Sequence, residues 1–221
     1  MARFAGGTRS GGGHFGESRG AGAAPTTSLA PCDDAAMDGR FARNSRRVAY
    51  ENPWITVWHD EVTRPDGNPG IYGVVHFANA AVGVVAIDDD DRVVLVGQHR
   101  YTLDSDSWEI PEGGVPAEED PLVGAQRELR EETGLTASSW RELCRLELSN
   151  SVTDETAVLY VATGLTRGEA DPEPTESLQV RWIPFDEALA MTLDGRILDA
   201  LTVVGIQRVA LDRMTAAAPR A

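Results

Sequence analysis

The sequence predicts an α/β fold built on a mixed sheet, and three observations carry that expectation. Two apolar runs, Ala80 to Ile87 and Val93 to Val96, flank the acidic turn Asp88–Asp91 and have the length of buried strands. The charged segment from Pro121 to Thr133 is framed as a helix, with Asp120 as N-cap, Pro121 at the first helical position and Gly134 just past the end. Two further helices are predicted near the end, from about Pro184 to Met191 and from Arg196 to Met214.

The remaining elements follow in order. Residues 1 to about 45 are rich in Gly, Ala, Ser and Arg and hold too few large apolar side chains to offset their ordering entropy, so a disordered tail is expected there. Order is expected from near Arg47. Trp54 to Thr63 alternates apolar and polar residues as a half-buried strand does, Pro65 to Gly70 is a dense turn signal, and Ile71 to Phe77 reads as the returning strand of a hairpin spanning 46–79. Gly113 to Pro121 reads as a loop. Leu143 to Leu148, Ala157 to Ala162 and Leu178 to Ile183 read as strands, joined by the polar segments Ser151–Glu155 and Gly168–Glu176. One domain over 46–215 is expected, with a flexible end at 216–221.

Charge narrows the function. The 221 residues carry a formal net charge of −15, and all 20 basic residues are Arg. A chain this acidic repels polyanions on average, which argues against nucleic-acid and membrane-surface binding while leaving room for a local basic pocket for a small phosphate ligand. No apolar run reaches the length of a bilayer span, and the first residues lack the apolar stretch of a secretory signal; a cytoplasmic location is expected. The two cysteines, Cys32 and Cys144, have no metal-ligand spacing. Cys144 alternates with apolar residues as a small buried hydrophobe does.

The chemistry is concentrated in residues 113 to 135, GGVPAEEDPLVGAQRELREETGL. Glu128, Glu131 and Glu132 are three and four residues apart and share one helix face. Carboxylates held so close repel one another unless a cation lies between them, and oxygen ligands favour Mg²⁺, with Mn²⁺ as the alternative. Arg127, four residues before Glu131, can pair with it and orient the group, and Glu119 can brace the loop through Arg127. Taken alone, Arg-Glu-Leu-Arg-Glu-Glu fits a solvated helix laced with ion pairs. The fixed Gly113 and Glu119 and the loop–helix–Gly frame argue against that plainer reading.

The segment matches all nine specified positions of G-x5-E-x7-R-E-U-x-E-E-x-G-U, where U is a bulky aliphatic residue. A chance match in a chain of ordinary composition is on the order of one in ten million. On these residues the chain resembles the Nudix hydrolase family. Upstream, Gln98-His99-Arg100-Tyr101 and Trp108-Glu109-Ile110-Pro111-Glu112-Gly113-Gly114 resemble the ADP-ribose pyrophosphatase branch, over about residues 47 to 190.

The resemblance implies a Nudix α/β/α sandwich, with a mixed sheet between helices and an N-terminal β-hairpin ahead of it that branch members use to dimerise; a homodimer is expected. It implies Glu128 and Glu132 as main metal ligands, Glu131 assisting, and the backbone carbonyl of Glu112 as a further ligand. It makes Arg100 a contact to the substrate diphosphate and Glu109 a substrate-holding residue. Trp108 is a stacking platform for a base or, on its aromatic character alone, a core residue. The general base is Glu155, which matches a branch glutamate, or Glu176 in the acidic loop; Glu173 aligns less well. The branch's Ser-Pro-Gly before that first glutamate is absent, with Asn150 and Ser151 in its place, so the preference for ADP-ribose stays open. The expected reaction is Mg²⁺-dependent cleavage of the diphosphate in a nucleoside diphosphate linked to another moiety, ADP-ribose or a nucleotide sugar first. The alternatives are house-cleaning of (d)NTPs, a coenzyme A pyrophosphatase, and a non-catalytic nucleotide-binding regulatory module; such modules usually lose a metal-binding glutamate, and this chain keeps them all.

Overall fold

Residues 42–77 form a three-stranded antiparallel sheet rather than the two-stranded hairpin expected. The computed structural model describes residues 39–170 and 178–217. In it β1 (Ala42–Glu51), β2 (Ile55–Thr63) and β3 (Pro69–Phe77) lie in the order β1-β2-β3. The β2–β3 pair is the predicted hairpin, turned at Gly67 with φ 82°. The added strand β1 is exposed along its whole length, so no buried face marks it in the sequence; it is held by its ladder to β2 and by Arg46, which donates to both carboxylate oxygens of Asp60 at 2.7 Å. The tail and Cys32 at 1–38, Glu173 and Glu176 at 171–177, and the end at 218–221 lie outside the described residues.

The core is the mixed sheet between helices that was expected. β4 (Asn79–Ala86) is central in the order β7-β4-β9-β8, parallel to β9 (Thr156–Arg167) and antiparallel to β7 (Glu112–Pro116); β8 (Leu135–Glu147) closes that sheet. A second sheet runs β10-β5-β6, from β10 (Gln179–Pro184), β5 (Arg92–Arg100) and β6 (Ser105–Glu109). The period-two geometry of a strand divides β4 between two apolar clusters. Val82, Val84 and Ala86 face α1 (Pro121–Thr133) together with Ala125 and Leu129, while Val85 and Ile87 face α2 (Phe185–Leu193) and α3 (Ala200–Ala217) with Phe185, Leu201 and Ile206. Each fully buried Val contributes roughly 1.5–3 kcal/mol. A one-residue slip would exchange the two faces, so the register is strongly fixed.

Several boundaries depart from expectation for identifiable reasons. The stretch read as a loop from Gly113 is strand to Pro116, because β7 pairs with β4 from Gly83↔Glu112 to Asn79↔Pro116. β6 is too short and polar to announce itself and exists through its ladder to β5. The last helix opens at Ala200 instead of Arg196, since Asp199 caps it by accepting from the Thr202 amide at 2.8 Å. The turn Asp88–Asp91 is more than solvated: Asp88 accepts from the Asp90 and Arg92 amides and from the Arg92 guanidinium.

Candidate active site

The site is assembled from the buried face of α1, the strand pair β5–β6, the junction into β7 and the start of α3. Helix α1 begins where the sequence says it must. Asp120 accepts from the Leu122 amide at 2.8 Å, Pro121 fills the first position, and Gly134 ends the helix at φ 71°, its amide donating to the Arg130 carbonyl at 2.8 Å. Between these stops the face buried by Ala125 and Leu129 also carries Glu128, which is fully buried, and Glu132, which is 4% exposed. Carboxylates are almost never this buried unless paired or bound to a metal.

Arg127 organises one side of the cluster. Its guanidinium donates to Glu128 Oε1 at 2.7 Å, to the Gly114 carbonyl at 3.1 Å and to Glu119 Oε2 at 3.1 Å, and lies 3.6 Å from Glu131 Oε2. The expected brace between Glu119 and Arg127 is therefore present. Burial works against the Arg127 charge, yet the Glu128 charge and the Glu119 hydrogen bond hold its pKa above the usual arginine value. Gly113 sits directly over Glu128: a Cβ there would fall within the carboxyl group. The glycine is thus required by close approach, with no need of a special backbone angle.

Arg100 organises the other side. It donates through Nε to Glu109 Oε1 at 2.8 Å, through Nη2 to Glu109 Oε2, and to Glu112 Oε1 at 2.7 Å; Gln98 adds a donor to Glu109 Oε2 at 3.1 Å. Burial opposes the Arg100 charge, but the Glu109 hydrogen bonds and the Glu112 charge raise its pKa overall. Glu112 links the two sides, its amide donating to Glu132 Oε2 at 3.2 Å. Burial and the charges of Asp199 and Glu109 push the Glu112 carboxyl well up, and Arg100 offsets this only in part.

Asp199 was not anticipated. One oxygen each of Glu109, Glu112 and Asp199 lie within 4.8 Å of one another. Asp199 also accepts from Thr202 Oγ1 at 2.8 Å, and Thr202 in turn accepts from the Ile110 amide at 2.9 Å, tying α3 to the β6–β7 junction. The sequence signal was an Asp three residues before a Thr at the head of an apolar helix, which marks a cap and says nothing of a partner some ninety residues away.

The donor set fits a hard divalent cation. It is all oxygen, it is crowded, and Glu112 Oε2 is buried with no hydrogen-bond partner among the described residues. Glu128, Glu131, Glu132 and Glu112, with Arg127, Arg100 and Glu109, are thus brought together. Trp108 is partly buried: it stands opposite Gly97 in the β5–β6 register, its ring fills the space a Gly97 side chain would need, and it packs on the larger apolar cluster. Glu155 stands on the connection from β8 to β9, where its carbonyl accepts from the Leu148 amide at 2.9 Å and burial raises its carboxyl.

Comparison with known proteins matches this geometry. Residues 78–201 match the NUDIX domain, and residues 43–75 match the nucleoside diphosphate sugar hydrolase N-terminal domain. The chain is 37% identical to the ADP-ribose pyrophosphatase of Mycobacterium tuberculosis over 174 residues, covering 76% of this chain and 83% of that one. It is 30% identical to the ADP-ribose pyrophosphatase of Bacillus subtilis over 169 residues, 76% and 91% of the two chains. It is 31% identical to a CMP-5'-(N-acetyl-N-hydroxy-3-aminopropyl)phosphonate hydrolase of Streptomyces rubellomurinus over 170 residues, 77% and 82% of the two. The crystal structure of an ADP compounds hydrolase superposes with a TM-score of 0.72 at 19% identity, covering 82% of this chain and 97% of the other, which shows the shared fold. The domain match, these relatives and the buried glutamates of α1 together establish that the chain is a member of the Nudix family of hydrolases.

Proposed function

We propose that this hydrolase uses Mg²⁺ to cleave the diphosphate linkage of a nucleoside diphosphate joined to another moiety, with ADP-ribose and nucleotide sugars as the preferred class. The observation that carries the proposal is that buried Glu128 lies against Gly113, Arg127 reaches both Glu128 and Glu131, and the Glu112 amide donates to Glu132. The names of the relatives support the substrate class, since two are ADP-ribose pyrophosphatases and a third cleaves a CMP conjugate.

Glu128 and Glu132 would hold the cation, and the Glu112 carbonyl and Glu131 would complete its surroundings. When bound, the cation neutralises the diphosphate and acidifies water. The chain's own residues do the rest. Arg127 fixes Glu128 and offsets its charge. Arg100 presents a guanidinium to the diphosphate, while Glu109, itself bonded by Gln98, and Glu112 hold it in place. Glu155 or Glu176 takes a proton from the attacking water, which forms a bond to one phosphorus as the bridging P–O bond breaks and the other phosphate leaves. The raised Glu155 carboxyl suits that role, because a general base works best with its pKa near the working pH.

The protein acts in the cytoplasm as a homodimer, binding neither nucleic acid nor membrane. Exposed Val48, Tyr50 and Ile71 on the first sheet, with Phe41 just before it, support the dimer. A panel of nucleoside diphosphate conjugates and nucleoside triphosphates, assayed with Mg²⁺ and with Mn²⁺ and with products identified, tests the proposal. Release of a nucleoside monophosphate from ADP-ribose or a nucleotide sugar supports it. Hydrolysis confined to the triphosphates would overturn the substrate class.

A further inference from the structure

We infer that the N-terminal sheet is a positioning element for the reaction, acting through a clasp between β3 and the segment 151–154 that delivers Glu155. The inference rests on the reading of Glu155 as the general base.

The clasp is built from main-chain and side-chain bonds together. Val75 pairs with Thr153 in a parallel bridge. The Val75 amide donates to the Val152 carbonyl at 2.9 Å, and the Asp154 amide donates back to the Val75 carbonyl at 3.3 Å. Tyr72 Oη donates to the Ser151 carbonyl at 2.6 Å. Asp154 receives the Phe77 amide on Oδ1 at 3.1 Å and lies 2.6 Å from His76 Nδ1 through Oδ2. The connection thus runs alongside β3 through a single bridge, and Asp154, the residue beside Glu155, takes part in three of these bonds.

The loop needs such support. It turns at Ser149, which has φ 45°, a left-handed conformation that costs a non-glycine residue of order 1 kcal/mol. Its internal bonds run from the Val152 and Thr153 amides to the Ser149 carbonyl and from Thr153 Oγ1 to the Leu148 carbonyl. They extend to Glu155 itself, whose amide donates to Thr153 Oγ1 at 3.4 Å and whose carbonyl accepts from the Leu148 amide at 2.9 Å. The direction of the chain at Asp154, between that turn and Glu155, is set from outside, by β3. On the far side His76 is itself fixed. It stacks on Trp58 with ring centroids 4.6 Å apart, and the Arg46 guanidinium covers Trp58 at 3.8 Å while bound to Asp60. One layer therefore runs from β1 through β2 to β3 and ends on the neighbour of Glu155. A base displaced by an ångström loses most of its advantage, so His76 and Asp154 act as positioning residues that touch no reacting atom.

The test compares kcat and KM for His76→Ala, His76→Asn, Asp154→Asn, Glu155→Gln and the Asp154→Asn/Glu155→Gln double variant, with the diphosphate conjugate that wild type hydrolyses fastest. Glu155→Gln is expected to lower kcat by ~10²-fold or more. His76→Ala and Asp154→Asn are expected to lower kcat by ~10-fold or more with KM and thermal midpoint near wild type. His76→Asn, whose amide nitrogen stands close to the place of Nδ1, restores most of the loss. The double variant is no slower than Glu155→Gln alone, because the clasp has no base left to position. Wild-type kcat in both Asp154→Asn and His76→Ala, with Glu155→Gln impaired, would overturn the clasp alone; so would a double variant whose losses multiply. Wild-type turnover by Glu155→Gln would instead overturn the reading of Glu155, and the inference with it.

Discussion

At the residue scale the chain buries carboxylates in an arrangement that the proposed cation would neutralise. Glu128 and Glu132 are buried on a helix face that packing alone would fill with Leu; Arg127 donates to Glu128, and the Glu112 amide donates to Glu132. Glu132→Gln is expected to lower Mg²⁺-dependent turnover by more than the ~10–100-fold typical of weakening a metal site, with an unchanged far-UV circular dichroism spectrum; near-normal turnover would refute its role as a ligand. Gly113→Ala brings a methyl group to within 2.3–2.5 Å of the Glu128 carboxyl atoms, so that carboxyl or its surroundings must shift. It is expected to cost about 1–3 kcal/mol of stability and to weaken metal binding as well. The pH response follows from Glu112. Its folded-state pKa lies above the ordinary 4.5, so the folded chain holds more protons than the unfolded one between those two values. Its contribution to metal-free stability is present below about 4.5 and is lost as pH rises through the raised value. A cation beside it favours the carboxylate and opposes that loss. Thermal unfolding in chelator across this range checks the sign: the stability of wild type relative to Glu112→Gln is expected to fall as pH rises, and to fall less with Mg²⁺ present.

At the element scale the catalytic helix is held by its two ends. Gly134 cannot be replaced cheaply, because it combines φ 71° with a Gly168 carbonyl 2.7 Å from where a Cβ would stand. Gly134→Ala is expected to cost at least the ~1–2 kcal/mol of a left-handed alanine, read as a lowered midpoint in urea unfolding; wild-type stability would show that the helix end is not held as described. Both ends of this helix were legible in the sequence, since capping is local chemistry. So were the alternating strands β2 and β3 and the apolar strands β4 and β5, where periodicity reports a buried face. β1, β6 and β7 were not, because they are polar, short or glycine-rich and exist through ladders to β2, β5 and β4. The same division holds within the site. The glutamates of α1 are neighbours in sequence and could be placed together from spacing. The meeting of Asp199 with Glu109 and Glu112 depends on how α3 docks on the sheet, which no local spacing encodes. Trp108 shows the opposite case, an aromatic residue beside the motif whose partner is Gly97 across the ladder.

At the scale of the whole molecule a net charge of −15 and a polyanionic substrate are compatible only if cations and a few arginines reverse the local field. Arg100 and Arg127 stand on either side of the carboxylates and supply the protein's share of that reversal. The first sheet leaves Val48, Tyr50 and Ile71 exposed, and the proposed dimer would cover them. Val48→Asp combined with Tyr50→Asp is expected to convert a dimer to a monomer in sedimentation velocity; an unchanged sedimentation coefficient would show that the sheet is not the interface. Cation capture by the α1 glutamates remains the point on which every step depends. It is tested most directly by titrating Mn²⁺ into the chelator-treated protein and reading free Mn²⁺ by electron paramagnetic resonance, for wild type and for Glu128→Gln/Glu132→Gln. Saturable uptake by wild type, lost in the folded double variant, is the expected result. Equal uptake by both proteins, or none by wild type, would contradict the account.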